Sequence, residues 1–177
     1  MIRHKFPRIP HLPWSPGATS DDKMLTDVSC FEGQEIVVMD KMDGENTTVY
    51  PDGYCHARST DSAHHPSRSW MKSFVPTFAH QIPEGHRICG ENLFAYHSVY
   101  YHNLPSYFLV FAIYDEKNNS LPWDDVESIC KILDLYTVPV LYKGFWNTNL
   151  IKALWTGKGT YPTYKLLGDP PTVENKE

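Results

Sequence analysis

The stretch Asp40-Lys41-Met42-Asp43-Gly44-Glu45-Asn46 sets a lysine among acids at a strand–turn–strand junction. The apolar run Ile36–Met39 precedes it and the strand-like Thr47–Tyr50 follows. Two chemistries suit such a lysine. On a surface hairpin it is a solvated cation paired with Asp40 or Asp43; in a nucleotide site it is an amine that attacks a phosphate. Attack on phosphorus needs a neutral amine, whereas an unperturbed lysine has a pKa of about 10.4. Burial, a neighbouring cation or a metal ion favours the neutral form, and flanking carboxylates oppose it. Asp40 and Asp43 therefore suit a metal ion or the loop itself better than the amine, and Gly44 suits the turn.

Three later positions supply the rest of a nucleotide site. Arg58-Ser59 offers a guanidinium and a hydroxyl for a phosphate. Glu91 offers a carboxylate for ribose hydroxyls or a metal, and Phe111 offers a flat ring for a base. Each has a plainer reading. Arg58 also suits a structural ion pair, Glu91 a cap or a pair, and Phe111 a buried core strand. His64-His65, His97 and His102 lack a matching ligand set and read as surface or packing residues, so no metal ligands are assigned.

Taken in order, these residues resemble the ATP-dependent RNA ligases of the covalent nucleotidyltransferase superfamily, which also holds DNA ligases and mRNA capping enzymes. Lys41-Met42-Asp43-Gly44 is similar to motif I, K-x-D-G, and the continuation Glu45-Asn46-Thr47-Thr48 resembles the RNA ligase branch. Arg58-Ser59 resembles the motif after the first hairpin, which meets the nucleotide and the strand end. Gly90-Glu91 resembles motif III, whose glutamate contacts the ribose. Phe111–Asp115 resembles motif IIIa, whose ring stacks on adenine; Ala112 stands where an aspartate is often found. The resemblance implies an α+β nucleotidyltransferase (ATP-grasp-like) ligase core using ATP and Mg²⁺ or Mn²⁺. Lys41 would become lysyl-AMP, with Asp40, Glu91 and Phe111 holding the nucleotide and Asp43, Gly44, Glu45 and Asn46 supporting the lysine. AMP would then pass to an RNA 5′-phosphate, and a 3′-hydroxyl would displace it to seal the strand. Motifs IV and V of the family are not found between Asp115 and Glu177; Lys158 and Lys165 do not fit motif V. The chain therefore reads, over 1–177, as a single adenylyltransferase (RNA ligase) domain or its N-terminal portion, with Glu177 near the start of motif IV. DNA ligation or capping by the same lysyl chemistry is a second enzyme reading. A non-catalytic nucleotide- or RNA-binding remnant is a reading from another class.

The elements that must position these residues follow from pattern. The chain has 177 residues, 41% hydrophobic and 21% charged, enough for one domain with a sizeable core. Fourteen prolines and 14% aromatics point to short strands, turns and loops, not a helical bundle. Four scattered cysteines without a C-x-x-C pair fit reduced thiols, and no membrane-length apolar run appears, so a soluble cytoplasmic protein is expected. The net charge is −5, yet residues 1–20 and 141–168 carry basic residues and no acid, a local balance that suits phosphates. Lysines and aromatics interleave over Lys143–Lys165, which suits either RNA or a core with solvated lysines.

The proline-rich residues 1–20 read as an extended arm with Phe6, Ile9, Leu12 and Trp14 to bury. Asp22–Leu25 reads as a short helix, and Tyr54–Ser59 as a third antiparallel strand after the Pro51-Asp52-Gly53 turn. Trp70, Phe74 and Phe78 mark one face of a helix that Pro76 kinks or breaks. Arg87–Ala95 reads as a strand, and the apolar Tyr107–Asp115 as the sheet centre. Pro122 opens a helix with Val126, Ile129, Cys130 and Leu133 buried. Thr137–Tyr142 reads as one strand with an edge-type proline, Asn147 or Thr148 as the cap of a helix through Trp155, and 168–177 as a flexible tail. The expected architecture is α+β, with mainly antiparallel sheets and helices packed outside them.

Overall fold

The computed structural model describes residues 2–16, 18–60, 65–154 and 176. Chain order gives strands β1 (Glu35–Met39), β2 (Glu45–Val49) and β3 (Cys55–His56), then helix α1 (Ser69–Phe78) and strands β4 (Arg87–Asn92) and β5 (Phe108–Tyr114). Helix α2 (Trp123–Ile132), strands β6 (Tyr136–Thr137) and β7 (Val140–Phe145) and helix α3 (Thr148–Leu154) follow. Strands β3-β2-β4-β5-β6 form one sheet and β1-β7 another. Every pairing is antiparallel except β5 with β6. The architecture is thus α+β and antiparallel-dominated.

Helices α1 and α2 cover one face of the five-stranded sheet. Val49, Ile88, Phe108, Val110 and Ile113 meet Met71, Val75, Phe78, Val126, Cys130 and Leu133 there in the main core. Pro76 lies inside α1 without ending it. Its missing N–H takes the helical partner from the carbonyl of Lys72, an exposed residue. The centre of the sheet is β4; β5 is apolar because strands flank it on both sides and helices cover it, not because it is the middle strand. No helix of the described residues is long and apolar enough to cross a membrane.

Several local expectations change. Asp22–Leu25 is not helical: His11 and Met24 bridge in parallel, and the Asp22 carboxylate accepts from the Thr19 amide and hydroxyl to close a turn. Only Cys55–His56 of the third strand enters the sheet. The segment Thr137–Tyr142 is split. Thr137 ends β6 in the large sheet and Val140 starts β7 in the small one, with Pro139, which has no N–H to give a ladder, at the switch. Asn147 caps α3 by accepting from the Leu150 amide, whereas Trp155 lies outside the described residues. Of the tail, Lys176 is described, and its backbone bridges to Ala95.

The arm is extended, and residues 3–6 lie on the face of the large sheet opposite the helices. The His4 amide donates to the Tyr50 hydroxyl (2.8 Å), and the Arg3 guanidinium lies 4.4 Å from the ring centroids of Tyr50 and Tyr54 while pairing with Asp52. Phe6 packs edge-on with Phe111 (5.1 Å) and Tyr114 (6.3 Å). Trp14 tilts against Trp146 under the Lys152 ammonium, but Ile9 is 64% exposed.

Candidate nucleotide site

Asp40–Gly44 is a crossover between sheets, not a hairpin: β1 pairs with β7, and β2 pairs with β3 and β4. Three anchors hold it. The Asp40 amide donates to the Pro139 carbonyl (2.9 Å), Met42 is buried to 3% exposure among Leu93, Tyr101, Leu104 and Leu109, and the Asp43 amide donates to the Tyr101 hydroxyl (2.9 Å). Gly44 is needed for space, not for a left-handed conformation. A Cβ there would lie 2.5 Å from the Asn92 carbonyl oxygen and 2.8 Å from a Leu93 methyl. The Gly44 amide in turn donates to the Glu91 carboxylate (3.0 Å), joining the lysine loop to β4.

The acids around Lys41 are engaged elsewhere. Asp43 accepts from the Ser98 amide (2.8 Å), the Ser98 hydroxyl (2.7 Å) and the Val99 amide (3.0 Å). Burial alone would raise its pKa, but these donors outweigh it and hold the carboxyl below its ordinary value. Asp40 is half-buried; burial raises its pKa against the Lys41 amide, which donates to it. Glu45 takes a bidentate pair from Arg68 (2.7 and 2.6 Å), tying β2 to the turn before α1. The Lys41 side chain is exposed and makes no hydrogen bond or ion pair among the described residues, so the surface pair of its amine with Asp40 or Asp43 is not formed.

Glu91 pairs in register with Asn46 across β2 and β4. Burial pushes its carboxyl up to about 7, against the Gly44 amide and the Lys41 charge, and Asp43 and Glu45 add to the rise. Near neutrality it can therefore accept or donate a hydrogen bond, and in its neutral form one anion is withdrawn from beside the amine. The Asn46 side-chain oxygen is buried without a partner among the described residues, a free acceptor next to Glu91. Tyr101 lies under the loop, its phenol pushed up to about 12, chiefly by burial, with the Asp43, Asp40 and Glu91 carboxylates adding. It stays a neutral hydroxyl, and it has no motif in the sequence that would have flagged it.

Phe111 reaches the same face through a bulge. Gly90 pairs with Val110 and Cys89 with Ala112, leaving Phe111 as the extra residue. Val110 and Ile113 point into the core under the helices, whereas Phe111 packs with Leu109 on the other side, and Phe6 touches both Phe111 and Tyr114. Arg58 and Ser59 are exposed beyond the end of β3. The ladder between β2 and β3 stops at His56, so the sheet does not carry Arg58 or Ser59 to the face of Glu91.

The structure thus ties Asp40, Asp43, Gly44 and Glu91 by hydrogen bonds around the loop that carries Lys41, sets Asn46 opposite Glu91, and puts Phe111 on the same face. It leaves Arg58 and Ser59 exposed beyond the end of β3 and turns Glu45 to Arg68. Of the basic, aromatic segment, Lys143 pairs with Asp124, Trp146 stacks on Phe31 (4.7 Å), and Phe145 is exposed. Lys158, Tyr161, Tyr164 and Lys165 lie outside the described residues. No three His, Cys, Asp or Glu side chains converge as a metal site among the described residues. A divalent ion held by nucleotide phosphates needs only one or two protein carboxylates, and Asp40 and Glu91 are the carboxylates beside Lys41 without a side-chain partner among the described residues.

The family model described as RNA ligase matches residues 34–175. Among solved structures, the chain is similar to an apo, aspartate-to-alanine mutant of a Naegleria gruberi RNA ligase. Identity is 18%, coverage is 64% of this chain and 38% of that one, and the TM-score is 0.46. It is also similar to an apo, lysine-to-alanine mutant of a Naegleria gruberi RNA ligase, at 21% identity, 71% and 42% coverage and a TM-score of 0.49. The chain spans about two-fifths of the length of these proteins. No curated protein matches it significantly.

Proposed function

The chain belongs to the RNA ligase family, and on that premise we propose that it performs ATP-dependent nucleotidyl transfer to RNA ends with Lys41 as the nucleophile. One observation carries this reading: a Lys41 amine beside Glu91 that has no ion-pair partner among the described residues, on a loop whose flanking residues are each fixed by another partner. In the first step the Lys41 nitrogen bonds to the α-phosphorus of ATP, the bond to the bridging oxygen breaks, pyrophosphate leaves, and the amine proton passes to solvent. An RNA 5′-phosphate oxygen then takes the AMP and frees Lys41. Attack of a 3′-hydroxyl on that 5′-phosphate joins the strands and releases AMP. Phe111 stacks on adenine, Glu91 and the Asn46 oxygen meet the ribose hydroxyls, Asp40 lies beside the phosphates, and the exposed Arg58 and Ser59 are assigned to the RNA 5′-phosphate by their motif. A Mg²⁺ or Mn²⁺ ion entering with ATP would neutralise phosphate charge.

Intact mass spectrometry after incubation with ATP and Mg²⁺ tests the first step. The expected result is a mass gain of one AMP, removed by added pyrophosphate and missing from Lys41→Ala. A wild-type protein that binds ATP and gains no mass at any pH would overturn the nucleophile and leave nucleotide binding alone.

A further inference from the structure

Arg87, at the start of β4, is buried to 3% exposure, yet no carboxylate pairs with it among the described residues. Its guanidinium lies 4.0 Å from the Tyr114 ring centroid and reaches the Cys89 thiol, and its Nε–H has no acceptor among the described residues. A buried cation without an anion, and a buried donor without an acceptor, each destabilise a fold unless something else uses them. The position indicates what that is. Residues 87, 89 and 91 alternate onto one face of β4, so Arg87 is on the face of Glu91, roughly 13 Å further along the strand. Between them lies the bulge that presents Phe111. Phe6 of the arm contacts both Phe111 and Tyr114, so the ring carrying the guanidinium and the ring offered to the base meet under one side chain. Along this face stand Lys41 and Glu91 at the phosphate and ribose end, Phe111 in the middle, and an unsatisfied donor beyond it, under Tyr114, with Phe6 packed over the two rings.

We propose that Arg87 reads the nucleotide base, its Nε–H donating to a ring-nitrogen acceptor on the edge of a purine stacked on Phe111. The proposal rests on the nucleotide-site reading of Lys41, Glu91 and Phe111. It makes the guanidinium a specificity determinant and gives its burial a use, because a bound base supplies the missing acceptor. Removing the charge should then relieve the free protein while weakening the complex, opposite to the behaviour of a structural strut.

The test measures binding of ATP and its 1-deaza, 3-deaza and 7-deaza analogues to the wild type, Arg87→Met and Phe111→Ala, together with melting temperatures. Wild type should lose roughly tenfold or more in affinity for one analogue. Arg87→Met should bind that analogue and ATP equally, both weakly, and should melt higher than wild type without ligand. Wild type that binds all four alike, or Arg87→Met that keeps the discrimination or melts lower with ATP affinity unchanged, overturns the proposal. Phe111→Ala should weaken all four nucleotides to a similar degree. If it weakens none, the base is not at Phe111 and the site reading fails, whatever Arg87 does.

Discussion

The Glu91 carboxyl acquires its charge in a place that resists it. Its folded-state pKa of about 7 lies above the ordinary 4.5 because burial outweighs the Gly44 amide and the Lys41 charge. The folded state therefore holds the proton more tightly than the unfolded chain. The stabilisation is fully present below about pH 4.5 and is lost as pH rises through 7, amounting to a few kcal/mol at most. Glu91→Gln keeps an acceptor for the Gly44 amide and removes the titration. The difference in melting temperature between variant and wild type should grow in the variant's favour from pH 4.5 to 8. A difference that stays flat across that window would show that Glu91 does not titrate there. The same substitution should impair adenylylation if the carboxyl serves the ribose, so stability and activity should move in opposite directions.

At the scale of elements, the lysine loop and the 98–99 turn hold each other. Asp43 gathers three donors from Ser98 and Val99, so Asp43→Ala strands them and costs about 1–3 kcal/mol of local stability. Amide hydrogen exchange should rise at Ser98 and Val99 while the protection of α2 is unchanged; equal protection of that turn in both proteins would refute the link. This coupling was not legible from sequence, and the reason is physical. Periodicity reports which face of an element is buried, so α2 and the apolar β5 could be read from Val126, Cys130 and Leu133 and from Phe108–Ile113. It does not report a partner tens of residues away. The crossover at Lys41 looked like a hairpin because strand–turn–strand patterning is the same whether two strands pair with each other or join different sheets. Pro139 was legible as a strand irregularity and not as a change of sheet. The bulge at Phe111 leaves no mark beyond the small Ala112. The candidate site was readable as residue types in order; its wiring through Tyr101, Ser98 and Pro139 was not.

Across the molecule, Met42 is the peg between the two sheets. It is 3% exposed in a cluster that takes Leu109 from the large sheet, packs Met39 of β1 and includes Val138 of the switch segment. Met42→Ala should lower stability by about 2–5 kcal/mol, read as a fall in the urea midpoint with an unchanged slope. A loss below about 0.5 kcal/mol would mean that the sheets are held together elsewhere. The pairing of β1 has a further consequence, for the order in which the protein is made. Glu35 pairs with Phe145, and the Asp40 amide hangs from Pro139. The lysine therefore leaves the ribosome roughly ten seconds before the strand that seats its loop. For that interval a nascent chain carries the lysine motif with neither partner for β1 nor acceptor for the Asp40 amide. A translation product that stops short of β7 would have the motif and lack the seated loop, so, on the proposed chemistry, modification of Lys41 by ATP would report that synthesis has passed β7.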